Sequence, residues 1–229
     1  MTKKSKTSLS RTAIVMDIGG FRPPEDPAAS WIGRVNLALP GEEWPSTNGQ
    51  PMLPLCQINV TELPSRPPHL EDLAFLSVFI GPKELPVNEP NGTKWCLRAY
   101  KEISALRPLA GRPEQCGIRA FPLCARVVAH DYPTLDDATE LGIDIDDEDE
   151  YVEKYPNQEG FKLGGWPTLI QSALDWDSCA GLGTKTEYVF QIDSSEKVQW
   201  AWGHGGVGYF GRAHQADVTD EWSLLWQCL

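Results

Sequence analysis

The chain has 229 residues, 41% hydrophobic and 23% charged, which is enough apolar material for a sizeable core. Its net charge is −12, but ten acids and no Lys or Arg fall between Leu135 and Glu153, leaving −2 for the rest. A chain without a basic surplus is poorly suited to phosphate backbones, so no nucleic-acid partner is expected.

Met1 to about residue 12 reads as a flexible, polar tail, with one domain following over residues 13–229. Lys3, Lys4, Lys6 and Arg11 precede only the short apolar run Ala13–Met16, less than the ~7–15 residues of a signal peptide. No stretch approaches the ~20 apolar residues that span a bilayer, and the expectation is a cytoplasmic chain without a membrane partner.

Nineteen Pro and twenty Gly, with few helical periods, predict short strands and frequent turns. Strands are expected at Ala13–Asp17, at Arg34–Leu39 by alternation, and at Leu53–Val60 with Leu55 and Gln57 on one face. Leu73–Ile80 is continuously apolar and predicts a strand covered on both sides. Lys94–Tyr100 and Arg119–Ala129 follow; Pro122 inside the latter predicts an edge or a bulge. Short helices are expected at Leu135–Leu141 and Asp147–Tyr155. Strands return at Tyr188–Ile192, Val198–Trp202, Val207–Ala213 and Trp222–Cys228. The fold class is α+β, predominantly antiparallel β-sheet with a few short helices.

Gln57-Ile58-Asn59 echoes Gln191-Ile192-Asp193. Each follows a Trp-Pro turn, Trp44-Pro45 or Trp166-Pro167, and each precedes an aromatic at the same interval, Phe75 or Tyr209. A duplicated β unit, with halves at 30–130 and 160–229, accounts for this; so does chance similarity of two apolar strands.

Leu39-Pro40-Gly41-Glu42-Glu43-Trp44-Pro45, Pro54 to Asn59, Glu62-Leu63-Pro64, Lys162 to Pro167, Gln171, Phe190 to Asp193 and Trp202 to Phe210 carry a wider pattern. In combination they resemble the YwqG-like family, a bacterial group of largely uncharacterised proteins. The resemblance implies one family-wide domain from about Ser30 to Cys228 and no particular reaction. Some members are associated with toxin–immunity systems, so it permits an immunity-type role. The chain departs from the family at Arg34, where a second glycine is usual, and at His204, where an acid is common.

The residues themselves offer few catalytic patterns. Gly203 to Gly208 fits G-x-G-x-x-G, but strand-like Tyr209-Phe210 follows where a dinucleotide site needs a helix. A glycine-rich turn with φ > 0 is the plainer reading. No G-x-S-x-G elbow is present. The six cysteines lack zinc spacing, and Cys56, Cys96, Cys124 and Cys228 read as small apolar residues in strands. No metal site or cofactor is expected.

Two functional readings result. The first is a protein-binding module, in which Asp144, Asp146, Asp147, Glu148, Asp149 and Glu150 meet a basic partner, although a solvated loop also explains them. The alternative is an enzyme or small-ligand binder with a cleft between the two Gly-Trp turns. There Trp166, Gln171, Gln191 and Asp193 would orient a ligand, and His204 would be the base. Gln57, Gln171 and Gln191 can equally be buried amides that tie loops to strands.

Overall fold

Ala13–Met16 forms the buried centre of β1 (Arg11–Ile18), which starts two residues before the expected Ala13. In the computed structural model the described residues are 9–22, 25–114, 116–178, 186–213 and 222–229. Leu9 is already buried, whereas residues 1–8 of the expected tail lie outside the described residues.

β2 (Trp31–Ile32) comes first, and of the strand expected over Arg34–Leu39 only β3 (Leu37–Ala38) forms. Gly33 separates them: its φ of 71° turns the chain out of the sheet. Asn48-Gly49, both at positive φ, closes the hairpin of β4 (Ser46–Thr47) and β5 (Gln50–Pro51). β6 (Leu53–Asn59) and β7 (Phe75–Ile80) follow, and every residue of β7 is buried, as its apolar run predicts. Then come β8 (Trp95–Tyr100), β9 (Arg107–Pro108) and β10 (Phe121–Asp131).

Helices α1 (Leu135–Glu140) and α2 (Glu148–Lys154) stand where the sequence predicts them. Thr134 caps the first and Asp147 the second, each accepting from the amide three residues on. The chain ends with β11 (Lys162–Gly164), β12 (Thr186–Asp193), β13 (Val207–Ala213) and β14 (Trp222–Gln227). The expected strand at Val198–Trp202 is instead a turn with one bridge, Ser195↔Trp200, because Gln199 adopts φ 57°. Among the described residues no helix is long and apolar enough to cross a membrane.

Ten strands make one antiparallel sheet in the order β14-β13-β12-β11-β1-β10-β2-β6-β7-β8. It curls into a nearly closed barrel. Trp95 of β8 packs 6.2 Å from Phe210 of β13, and Trp226 Nε1 of β14 donates to Pro86 O at 2.6 Å. The interior is solid: Ile14, Ile32, Ile58, Val78 and Phe190 belong to one buried cluster, with Phe190 stacked on Phe210 at 4.3 Å.

β10 is central, not an edge, despite Pro122. A strand residue's N and O point toward the same neighbour in an antiparallel ladder. Pro122 O accepts from Gly19 N, so its missing N–H also faces Gly19, past the last residue of β1. No ladder bond is lost there.

The sheet contains the same five-strand unit twice, β1-β2-β6-β7-β8 and β10-β11-β12-β13-β14, with the two first strands exchanged. β10 of the second unit pairs with β2, and β1 of the first pairs with β11. Registers agree residue by residue: Phe121↔Ile32 matches Ile14↔Leu163, and Trp31↔Gln57 matches Lys162↔Gln191. Gly33 and Gly164 match in conformation, at φ 71° and 66°. A side chain on either would crowd an equivalent carbonyl, Arg119 O or Thr12 O.

The Gln-Ile echo is therefore part of a structural repeat. Two parts of the echo fail. Phe75 lies opposite Asn59 and so corresponds to Val207, while Tyr209 corresponds to Ser77. Trp166 follows β11 directly, whereas β3 and a loop separate β2 from Trp44. The repeat also begins earlier than the expected halves, at β1 and at β10.

Candidate functional site

The double glycine after β11 decides the local geometry. Gly164 and Gly165 both have positive φ, 66° and 68°, and a Cβ on Gly165 would lie 2.1 Å from Asp131 Oδ2. The chain therefore climbs off the sheet directly over Asp131. Trp166 lands on the outer face of the barrel, where its Nε1 donates to Leu9 O at 2.7 Å and the Arg11 guanidinium covers its ring at 3.4 Å.

A buried polar network lies beneath this turn. Asp131 and Lys162 are fully buried, with Nζ 3.2 Å from Oδ2. Asp131 also accepts from the amides of Gln158 (2.6 Å) and Trp166 (2.7 Å), which satisfies the carboxylate as a buried charge requires. Burial pushes the Lys162 ammonium below its ordinary range, opposed by Asp131. Gln191 Oε1 accepts from Thr168 N at 2.8 Å, and its Nε2 donates to Gly160 O and to Asp193 Oδ1. Burial raises the Asp193 carboxyl, against hydrogen bonds from Gly160 N and Gln191.

Above the network the sheet has a gap. β11 pairs with β1 as far as Ala13↔Gly164 and with β12 as far as Leu163↔Phe190. Beyond those pairs β11 has ended, while β1 continues to Arg11 and β12 runs back to Thr186. Thr186, Glu187 and Tyr188 pair on their far side with Ala213, Arg212 and Gly211 of β13. Among the described residues no strand pairs with their near side. The resulting slot has a volume of about 690 Å³ and is lined by Arg11, Thr12, Pro68, His69, Trp176 and Thr186, among others. That volume lies within the range of small-ligand sites.

Its two long walls differ. On the outer side stand Trp176 and Tyr188; Tyr188 Oη reaches Gln191 Oε1 at 3.3 Å, and burial drives its phenol well up. On the inner side His69 Nε2 sits 3.0 Å from Glu187 Oε2. His69 holds φ 68°, the left-handed region. Arg212, itself buried, clamps it there by donating to His69 O (2.7 Å) and to both oxygens of Asp72 (2.7 and 3.0 Å). That contact holds the Asp72 carboxyl below its usual range. Thr186 Oγ1 is buried in the slot wall without a hydrogen-bond partner among the described residues.

The arrangement offers a carboxylate, an imidazole, a hydroxyl, an indole and two main-chain edges. Among the described residues no three His, Cys, Asp or Glu side chains gather to hold a metal ion.

The sequence-predicted residues divide. Trp166, Gln191 and Asp193 come together around the network, but as its roof and struts. Gln171 is exposed, and its amide donates to Gln227 Oε1 at 3.1 Å; Gln227 is the buried amide in that corner. His204 is exposed on the Trp202–Gly206 turn and does not line the slot. Trp202 packs inside the barrel over Gly208 while Trp166 lies outside it, so the two tryptophans do not line one cleft. The segment after Trp166 is instead tied to β13, where Tyr209 Oη donates to Thr168 O at 2.6 Å.

Asp144, Asp146, Asp147, Glu148, Asp149 and Glu150 are exposed; Asp147 caps α2 and Glu150 pairs with Lys154. Cys124 is exposed rather than packed, and Cys179 lies outside the described residues. His69, Thr186 and Glu187 were not singled out from sequence. Their only signal is indirect: the Gly164-Gly165 pair that ends β11, and the Pro67-Pro68-His69 loop that approaches it.

The family described as Domain of unknown function (DUF1963) matches residues 32–227, and the chain belongs to it. No curated protein matches the chain.

Proposed function

We propose that this member of the family is a binding module that captures its ligand in the slot between β1 and β12. The gap in the sheet carries the reading: among the described residues no strand pairs with the facing edges of β1 and β12, and unpaired backbone groups are costly unless something satisfies them. The Thr186 hydroxyl, without a partner among the described residues, points to the same conclusion. The YwqG-like resemblance, with its toxin–immunity associations, agrees with a cytoplasmic binding role. The exposed acids on and before α2 would add a salt-sensitive attraction for a basic partner.

One observation favours turnover as a second reading. His69 is held in a strained conformation with its ring against Glu187, and an imidazole oriented by a carboxylate is the arrangement general-base chemistry uses. His69 is then the candidate base, in place of His204.

The test is a titration of the isotopically labelled chain with a set of small polar compounds and with a random peptide pool. Binding in the slot shifts the amide resonances of Thr12 and Thr186–Tyr188. Shifts confined to other surfaces contradict the proposal.

A further inference from the structure

We infer that the occupant of the slot is an extended polypeptide segment, added as a strand along the course β11 would have taken; this rests on the slot being the binding site. The walls argue for main chain. β1 and β12 are each antiparallel to β11, and both continue past the point where β11 leaves the sheet. Strands flanking a third lie roughly 9.6 Å apart, twice the inter-strand spacing, so the space left is one strand wide. An extended peptide offers N–H and C=O groups on both edges and can satisfy both walls at once, which is the logic of β-strand addition.

Direction and side-chain pattern follow from the same geometry. To be antiparallel to both walls, the segment runs as β11 does, starting beside Gly164. Thr186, Glu187 and Tyr188 set its paired length. Successive side chains of a strand point to opposite faces. One set meets Trp176 and Tyr188 on the outer side. The alternate set meets Glu187 and His69 on the inner side. The segment should therefore alternate apolar residues, for the aromatic wall, with polar residues that hydrogen-bond to the Glu187 and His69 pair.

The experiment is selection of a displayed random heptapeptide library on the full chain. Selected peptides are then resynthesised with one backbone amide N-methylated at a time and titrated into the labelled chain. The expected result is a two-residue apolar–polar alternation, amide shifts at Thr12 and Thr186–Tyr188, and about tenfold or greater loss of affinity on methylating an interior amide. Peptides that tolerate methylation at every position, or shift only other resonances, overturn the strand-addition inference. If no peptide is selected while small polar compounds shift the same amides, this inference fails and the slot reading stands. If neither class shifts them, both fail.

Discussion

Gln57 and Gln191 occupy equivalent places in the two copies of the repeated unit, and each bolts a loop onto the outer face of the barrel. Gln57 Nε2 donates to Ala29 O (2.6 Å) and its Oε1 accepts from Asn36 N (2.7 Å). Gln191 donates to Gly160 O (3.2 Å) and accepts from Thr168 N (2.8 Å). Ala29 and Gly160 both lie two positions before the residue paired with the glutamine. Replacing either glutamine with Leu leaves main-chain groups unsatisfied in a buried setting. Each change should cost about 1–3 kcal/mol by urea denaturation. A loss within about 0.5 kcal/mol, the usual effect of a neutral surface change, would show that these bonds do not hold the loops.

Gly165 supports the turn that opens the slot. Gly165→Ala combines a positive φ with a Cβ 2.1 Å from Asp131 Oδ2. Gly41→Ala also has positive φ, 89°, but meets nothing within 4 Å. Gly41→Ala should cost about 1–2 kcal/mol from backbone strain alone. Gly165→Ala should cost clearly more, read from thermal or urea unfolding. Equal losses would mean the turn over Asp131 is not as tight as described.

Asp137 is the chain's clearest pH-dependent group. Burial and the nearby Glu140 raise its carboxyl from 3.8 to about 6, and its Oδ2 lacks a partner among the described residues. With the folded value above the unfolded one, the folded state binds the proton more tightly. Its contribution is therefore fully present below about pH 4 and is lost as pH rises through about 6. Asp137→Asn should stabilise the protein at pH 8 by about 1–2 kcal/mol, after allowing for solvent screening of a partly exposed group. Near pH 4 the two proteins should be equal. A difference independent of pH would contradict the assignment.

Asp147 separates the structural from the surface role of the acidic segment. As the cap of α2 it accepts from Glu150 N at 2.9 Å. Asp147→Ala should cost about 1 kcal/mol. Asp146 and Asp149, changed singly to Ser, should each stay within about 0.5 kcal/mol. If the segment also meets a basic partner, those Ser variants weaken binding at low salt while leaving stability untouched; unchanged affinity removes the partner role.

Thr186→Val keeps shape and removes a buried hydroxyl that lacks a partner among the described residues. The free protein should be unchanged or slightly more stable. The affinity of a slot ligand that takes up the hydroxyl should fall about five- to tenfold, as expected for one net hydrogen bond. Unchanged affinity would remove Thr186 from the contact.

Much of this fold is legible from residues. A nearly continuous apolar run marks β7, hairpin spacing marks β12 and β13, and a Thr or Asp cap before an acidic turn marks α1 and α2. Where the sequence misleads, a single backbone event is responsible. Gly33 at positive φ turns the chain out of the sheet just before Arg34, and of the strand expected from Arg34 to Leu39 only Leu37–Ala38 forms. Gln199 at positive φ turns Val198–Trp202 away from the sheet. Pro122 sits in a central strand because its neighbour strand has already ended. The slot is harder to read, because it is made by register and not by composition. Nothing in Pro67-Pro68-His69 says that it will meet Glu187, and that contact depends on where β11 stops. The glutamine echo is the one long-range relationship visible in the sequence; the expected cleft between the two Gly-Trp turns fails because Trp202 packs inside the barrel while Trp166 lies outside it.

Hydrogen–deuterium exchange at the amides of Thr12, Thr186, Glu187 and Tyr188, with and without a selected peptide, tests the central claim most directly. An occupied slot predicts slower exchange at those of the amides that face β11, by about tenfold or more as ladder bonds form, with β13 unchanged. Exchange that stays the same at all four while another surface becomes protected would show that the gap between β1 and β12 is not where this protein binds.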